Sequence, residues 1–157
     1  MEHLTIREAT LSDYDKLLEF EQGVIRAERP FDPTLGDDPI NYYDIKELIT
    51  APHIQLLVAE HKNQLVGCGY ARLQQAQAFL RHSTYAYLGF MYTDPQCRRM
   101  GVNRMIIDGL KAWAVSKGVF EIRLEVYSEN VAAQVAYEKS GFSKHIIEMR
   151  MGLHNAS

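Results

Sequence analysis

Two stretches of this chain carry residues whose types and spacing could do chemistry. The first is Asp94-Pro95-Gln96-Cys97-Arg98-Arg99-Met100-Gly101-Val102-Asn103. Arg98 and Arg99 supply full positive charge, and Gly101 opens a run of helical spacing. The first turn of a helix leaves backbone N–H groups unpaired, and the helix dipole adds partial positive charge there. A strand, a turn and a helix with glycine at its start can aim those donors at a phosphate, and neighbouring arginines strengthen the grip. The Gly-Lys-Ser/Thr ending of a P-loop is missing, and so is the GxGxxG of a dinucleotide fold. Taken alone, a solvated surface turn accounts for these residues about as well.

The second stretch runs from Ser128 to Phe142. Asn130 and Tyr137 are seven residues apart, nearly two helical turns, with the small Ala133 between them. In isolation, such a tyrosine is more often a packing residue. The phosphate-type turn followed by this second helix raises the odds of function, because two helix starts can flank one cleft at the strand ends.

The elements that must position these residues read as follows. Leu4 to Arg7 alternates as a short strand, and Ser12 reads as the N-cap of a helix reaching about Glu28. Arg29 to Asn41, with three prolines and three aspartates, is a loop, and Tyr42 to Thr50 a short helix. Ile54–Ala59 and Leu65–Ala71 form a hairpin, and Tyr85–Thr93 a further strand stopped by Asp94-Pro95. Gly101 to Lys117 is the clearest helix, closed by Gly118. Phe120–Tyr127 is a strand, Ser128–Ser140 a helix and Ser143–Met151 a last strand. This order predicts an α/β (α+β) layer structure with one mixed, mostly antiparallel sheet and a parallel element near its end.

The 157 residues suit one domain, 1–157, with 46% hydrophobic and 24% charged residues. A net charge of −3 gives no reason to expect nucleic acid as a partner. No apolar run reaches the roughly 20 residues of a membrane helix, and no leader precedes the first strand. A cytoplasmic protein without a membrane partner is the expectation. Cys68, Cys97 and the scattered histidines have no metal-ligand spacing, so no metal is expected. Cys97 beside two arginines could have a lowered pKa.

The stretch from Met91 to Phe142 resembles the acetyl-CoA core of the GNAT superfamily of N-acetyltransferases. Arg98-Arg99-Met100-Gly101-Val102-Asn103 matches that family's R/Q-x-x-G-x-G/A loop, with Asn103 where glycine or alanine is usual. Asn130, Tyr137 and Gly141-Phe142 match its later helix. The core match covers about a third of the chain. The resemblance implies a central sheet flanked by helices, with a splayed strand pair binding acetyl-CoA as cosubstrate. It implies that Met91, Tyr92 and Thr93 pair through their backbone with the pantetheine arm, and that an amide near Met91 or Tyr92 polarises the acetyl carbonyl. Arg98, Arg99, Met100, Gly101, Val102, Asn103 and Arg104 would hold the diphosphate. Asn130 and Ala133 would line the pantetheine, and Tyr137 would protonate the leaving thiolate. The acceptor would be a small-molecule amine, and a homodimer is one expected state. A protein lysine or N-terminal acetyltransferase and a non-catalytic acyl-CoA-binding regulatory module are the alternatives.

Many family members carry a glutamate on the strand before the phosphate turn, but Tyr87-Leu88-Gly89-Phe90-Met91-Tyr92 has no carboxylate. Proton removal then falls to water, Glu125, Tyr127, Asp37, Asp38 or His82. The acceptor wall is expected from Arg26 to Tyr43, where Glu28, Arg29, Asp32, Asp37 and Asp38 present both signs.

Overall fold

The structure is a computed structural model and describes residues 3–153. The chain forms two compact units, residues 1–125 and 126–157. Within the first unit, five strands lie in sequential order: β1 (Thr5–Glu8), β2 (Ile54–His61), β3 (Gln64–Gln75), β4 (Thr84–Thr93) and β5 (Ile122–Arg123). The first four pair antiparallel, and β4 pairs with β5 in parallel. This is the mixed, mostly antiparallel sheet expected. Lys62 and Asn63, both at positive φ, make the tight turn between β2 and β3.

The two faces of the sheet are covered differently. Helix α1 (Tyr14–Glu28) and the short α2 (Ile45–Thr50) cover one face, burying Leu17, Phe20, Val24, Ile45 and Leu48 against Leu56, Val58, Cys68, Tyr70 and Phe90. Helix α3 (Val102–Ser116) covers the other, with Val102, Ile106, Ile107, Leu110 and Ala114 buried at helical spacing. It approaches so closely that a Cβ on Gly67 would stand 2.6 Å from Val102 Cγ1.

The N-terminal cap differs from the expectation. Thr10, not Ser12, starts the first helical stretch, as a 3₁₀ turn over Leu11–Asp13. The Asp13 carboxylate accepts the Thr10 N–H at 2.8 Å and a two-point grip from the Arg7 guanidinium at 2.9 Å on each oxygen. Arg7 also donates to Glu60 at 2.6 Å, so β1, β2 and the start of α1 share one charged clamp.

The late strands are the larger departure. Only Ile122–Arg123 of the expected Phe120–Tyr127 strand pairs, with Ala86 and Tyr87. Residues 142–153, expected to hold a last strand over Ser143–Met151, carry no strand within the second unit. Adjacent Ile146 and Ile147 break the alternation that a half-buried strand needs, and a strand without a ladder partner is not one. In the second unit, α4 (Val131–Lys139) is the helix read from Ser128 to Ser140, shortened because Asn130 caps it.

Candidate active site

Strand β4 is irregular where the chemistry is expected. Against β3, Tyr92 pairs with Cys68 but Gly89 pairs with Tyr70, so Phe90 and Met91 together oppose Gly69. That extra residue is a bulge, and Phe90 takes φ +53 to make it. On the other edge, the ladder to β5 stops at Tyr87, so among the described residues of the first unit no second strand flanks Leu88 to Thr93. The strand pair therefore splays, and the backbone of Met91, Tyr92 and Thr93 lies along the open edge.

The chain leaves β4 through Asp94, whose N–H donates to Val66 O at 2.8 Å. A 3₁₀ turn over Pro95–Cys97 follows, and Arg99 takes φ +70 and Gly101 φ +84. Gly101 is the N-cap of α3, and no side chain caps it. The first intrahelical bond runs from Met105 N–H to Gly101 O at 3.0 Å. The amides of Gly101, Val102, Asn103 and Arg104 are thus the unfilled donors of the first turn. Arg98 and Arg99 are exposed and enter no ion pair among the described residues, while Arg104 lies 3.9 Å from Asp108. Unfilled amides, a dipole and two uncompensated guanidiniums on one turn fit a diphosphate. Asn103 in the glycine or alanine position costs nothing here, because it is already helical and offers its backbone.

Cys97 behaves as a plain loop cysteine rather than an activated thiol. Burial and the nearby Asp94 push it up, not down, so the adjacent arginines do not activate it.

The second unit holds the other residues singled out. Asn130 stands at the N-cap, where its Oδ1 accepts the Ala133 N–H at 3.1 Å. It is therefore a capping residue rather than a member of the helix face. Gln134 Nε2 donates to Tyr127 O at 3.0 Å and Ser128 O at 2.8 Å, fixing the approach to the helix. Gly141 at φ +105 ends it and turns Phe142 edge-on to the Tyr137 ring at 5.8 Å.

On the α1 face of the sheet, a residue the sequence reading passed over sets the wall. Glu21 is fully buried, and its Oε2 accepts the N–H groups of Tyr42 and Tyr43 at 2.7 Å each. This ties the end of the 29–44 loop to α1 and stacks Tyr43 on Phe90 at 4.5 Å and edge-on to Tyr70 at 6.1 Å. The signal for Glu21 was a carboxylate inside the apolar stripe of Leu17, Val24 and Ile25. Among the loop charges, Arg29 and Asp38 pair at 2.7 Å, and Asp32 accepts the Thr34 N–H at 2.9 Å. Glu28 is half-buried, and that burial raises its carboxyl above the ordinary range. Of the proton-acceptor candidates, His82 lies 2.9 Å from Arg123, and Glu125 accepts the Tyr87 hydroxyl at 2.9 Å.

The profile of the acetyltransferase (GNAT) family matches residues 20–142. The chain belongs to that family. By that membership it is an acetyltransferase. Solved structures share the fold across nearly the whole length. A mutant BH1408 protein from Bacillus halodurans has 20% identity and a TM-score of 0.82, over 96% of this chain and 99% of that one. A predicted acetyltransferase with acetyl-CoA from Clostridium acetobutylicum has 17% identity and a TM-score of 0.73, over 96% of each chain. AAC(6')-Iy, in complex with the bisubstrate analogue CoA-S-monomethyl-acetylneamine, has 22% identity and a TM-score of 0.71, over 97% of this chain and 100% of that one. Among curated proteins, none matches by sequence. Among the described residues, no helix is long and apolar enough to cross a membrane, and no group of His, Cys, Asp and Glu could hold a metal ion.

Proposed function

We propose that this acetyltransferase moves the acetyl group of acetyl-CoA onto the amine of a small molecule, by direct attack in a ternary complex. The observation that carries the reading is the uncapped first turn of α3, beside unpaired Arg98 and Arg99, at the end of a strand whose edge is open from Leu88 onward. Both features serve one elongated ligand. The turn takes its diphosphate through the amides from Gly101 to Arg104, and the open edge of Met91, Tyr92 and Thr93 takes its amide-bearing arm by strand-like pairing. In this reading a backbone N–H at the Phe90–Met91 bulge polarises the acetyl carbonyl, a role worth a few kcal/mol in enzymes generally. The small-molecule acceptor is supported by the neamine analogue held by AAC(6')-Iy.

In this reading the chain works as a single cytoplasmic domain. Asn130 and Ala133 border the pantetheine, and the Tyr137 hydroxyl supplies the proton that the leaving thiolate needs. The balance is simple. An ammonium loses one proton to solvent, and its nitrogen then forms the C–N bond. The C–S bond breaks with its electron pair on sulfur, and the second nitrogen proton is matched by the one that ends on the thiol. The test is a screen of free-thiol release from acetyl-CoA over alkylamines, amino acids, polyamines, aminoglycosides and peptides. Release with peptides alone, or with no amine at all, would defeat the reading.

A further inference from the structure

The sheet face that carries the tyrosines also carries an unneutralised charge beside the reacting strand. Tyr70 on β3 and Gly89 on β4 are register partners, and Tyr87 is the partner of both Arg72 and Arg123. A side chain at position 89 would run into the Tyr70 hydroxyl, which fills the place where a β4 residue would otherwise project. Glu125 follows Arg123 by two residues and is fixed on this face by the Tyr87 hydroxyl, which donates to its Oε1 at 2.9 Å. The row across the sheet therefore reads phenol, glycine, carboxylate, immediately before the Phe90–Met91 bulge.

The charges around this row do not cancel. Arg72 sits over the Tyr70 ring at 5.3 Å but pairs with Glu47 at 3.5 Å. Arg123 covers Tyr85 at 4.0 Å and pairs with Glu121 at 3.4 Å. The loop cation Arg29 is taken by Asp38. Among the described residues, no Lys, Arg or His forms an ion pair with Glu125 or with Glu28. Glu28 lies two turns beyond Glu21 on the same face of α1, the face that holds Tyr42 and Tyr43. The Tyr87 ring beside the Glu125 carboxylate makes a surface that attracts a cation through charge and through the ring face together.

We propose that Glu125, held in place by Tyr87, is the cation-binding end of the acceptor site, and that the acceptor is an aliphatic amine which arrives as its ammonium ion. This rests on the amine-acetylation reading above and narrows it to a substrate class. Carboxylate-bearing amines such as free amino acids are disfavoured by the same charges. Glu125 recognises the cation, and Tyr87 is a positioning residue that acts through it.

The experiment compares Glu125→Gln and Tyr87→Phe with the parent protein, on a primary alkylamine and on an alkoxyamine that is uncharged at neutral pH. Calorimetric titration with acetyl-CoA runs alongside. Glu125→Gln should raise KM for the alkylamine about ten-fold or more, with a smaller change in kcat, and leave KM for the alkoxyamine and the acetyl-CoA affinity unchanged. Tyr87→Phe should raise the alkylamine KM by a lesser factor with the same selectivity. Equal KM values in variant and parent, or a rise for both acceptors alike, would overturn the proposal while leaving the enzymatic reading intact. Absence of thiol release from the parent with every amine would overturn both.

Discussion

Replacing Gly101 by alanine separates the backbone geometry of the phosphate turn from its bulk. Gly101 holds φ +84, and a Cβ built there meets nothing within 4 Å. The substitution therefore adds no clash, and its cost is the left-handed backbone itself, roughly 1–2 kcal/mol for an L-residue. In a chain of this size each kcal/mol moves Tm by about 2–4 °C, so a fall of roughly 2–8 °C is expected. The chain can relieve that strain by rotating φ toward negative values, which turns the Gly101 and Val102 amides off their common aim. A hydrogen bond to a charged phosphate contributes about 1.5–3 kcal/mol, so losing one weakens acetyl-CoA binding roughly 10- to 150-fold. Gly118→Ala is the matched control. It has φ +74 and equally open surroundings, but it closes the opposite end of α3. Thermal melts and calorimetric titration with acetyl-CoA should show similar destabilisation in both variants and weakened binding in Gly101→Ala alone. If Gly101→Ala melts low yet binds acetyl-CoA as the parent does, the amides of this turn do not hold the diphosphate.

Three further outcomes are expected. Arg99→Glu should weaken acetyl-CoA binding by at least about ten-fold, by a margin that narrows as salt is raised, because Arg99 is exposed and enters no ion pair among the described residues; titration at two ionic strengths checks it. Tyr137→Phe should lower kcat by roughly 100-fold or more with acetyl-CoA affinity nearly unchanged, as for loss of a general acid, and a turnover equal to the parent across pH would remove the phenol from the reaction. Asp13→Asn should cost about 1–2 kcal/mol at neutral pH by breaking the two-point grip of Arg7. The Arg7 guanidinium holds the Asp13 carboxyl below its ordinary value, so the pair stabilises the fold fully above the usual carboxylate range and loses that contribution as pH falls through the lowered value. Denaturation of parent and variant should thus converge below about pH 4, and a constant gap down to pH 2 would contradict the assignment.

Much of this fold was legible because local rules and tertiary packing agree over β2, β3 and α3. The hairpin turn at Lys62-Asn63, the apolar stripe of α3 and the stop at Gly118 each follow from residue type alone. The uncapped turn was legible too, since Arg98, Arg99 and Gly101 announce it by charge and by conformational freedom. The misses have a common physical cause, which is that a strand or a cap depends on a distant partner. Ser12 had the right chemistry for a cap, but Arg7 holds Asp13 so that Thr10 takes the role. Phe120–Tyr127 alternates properly, but its ladder ends where β4 turns away. Glu21 was visible as a misplaced carboxylate in an apolar stripe, but its two donors, the amide N–H groups of Tyr42 and Tyr43, lie some twenty residues downstream.

The candidate site sits where the pleat fails, and there the acidic group comes from the next strand, as the candidate Glu125 allowed, rather than from β4. Alternation along β4 names Tyr85, Tyr87 and Gly89 as one face and finds no carboxylate there. Because the ladder between β4 and β5 ends at Tyr87 and Arg123, the next outward residue on that side is Glu125, reached through the Tyr87 hydroxyl rather than along β4 itself. The glycine at 89 then leaves a gap that a phenol enters from the neighbouring strand. A bulge, a splay and a glycine within a few residues each weaken the sheet. In the proposed reading, together they open one edge for the cosubstrate and bring Tyr70 of β3, Tyr87 of β4 and Glu125 just beyond β5 to the acceptor side.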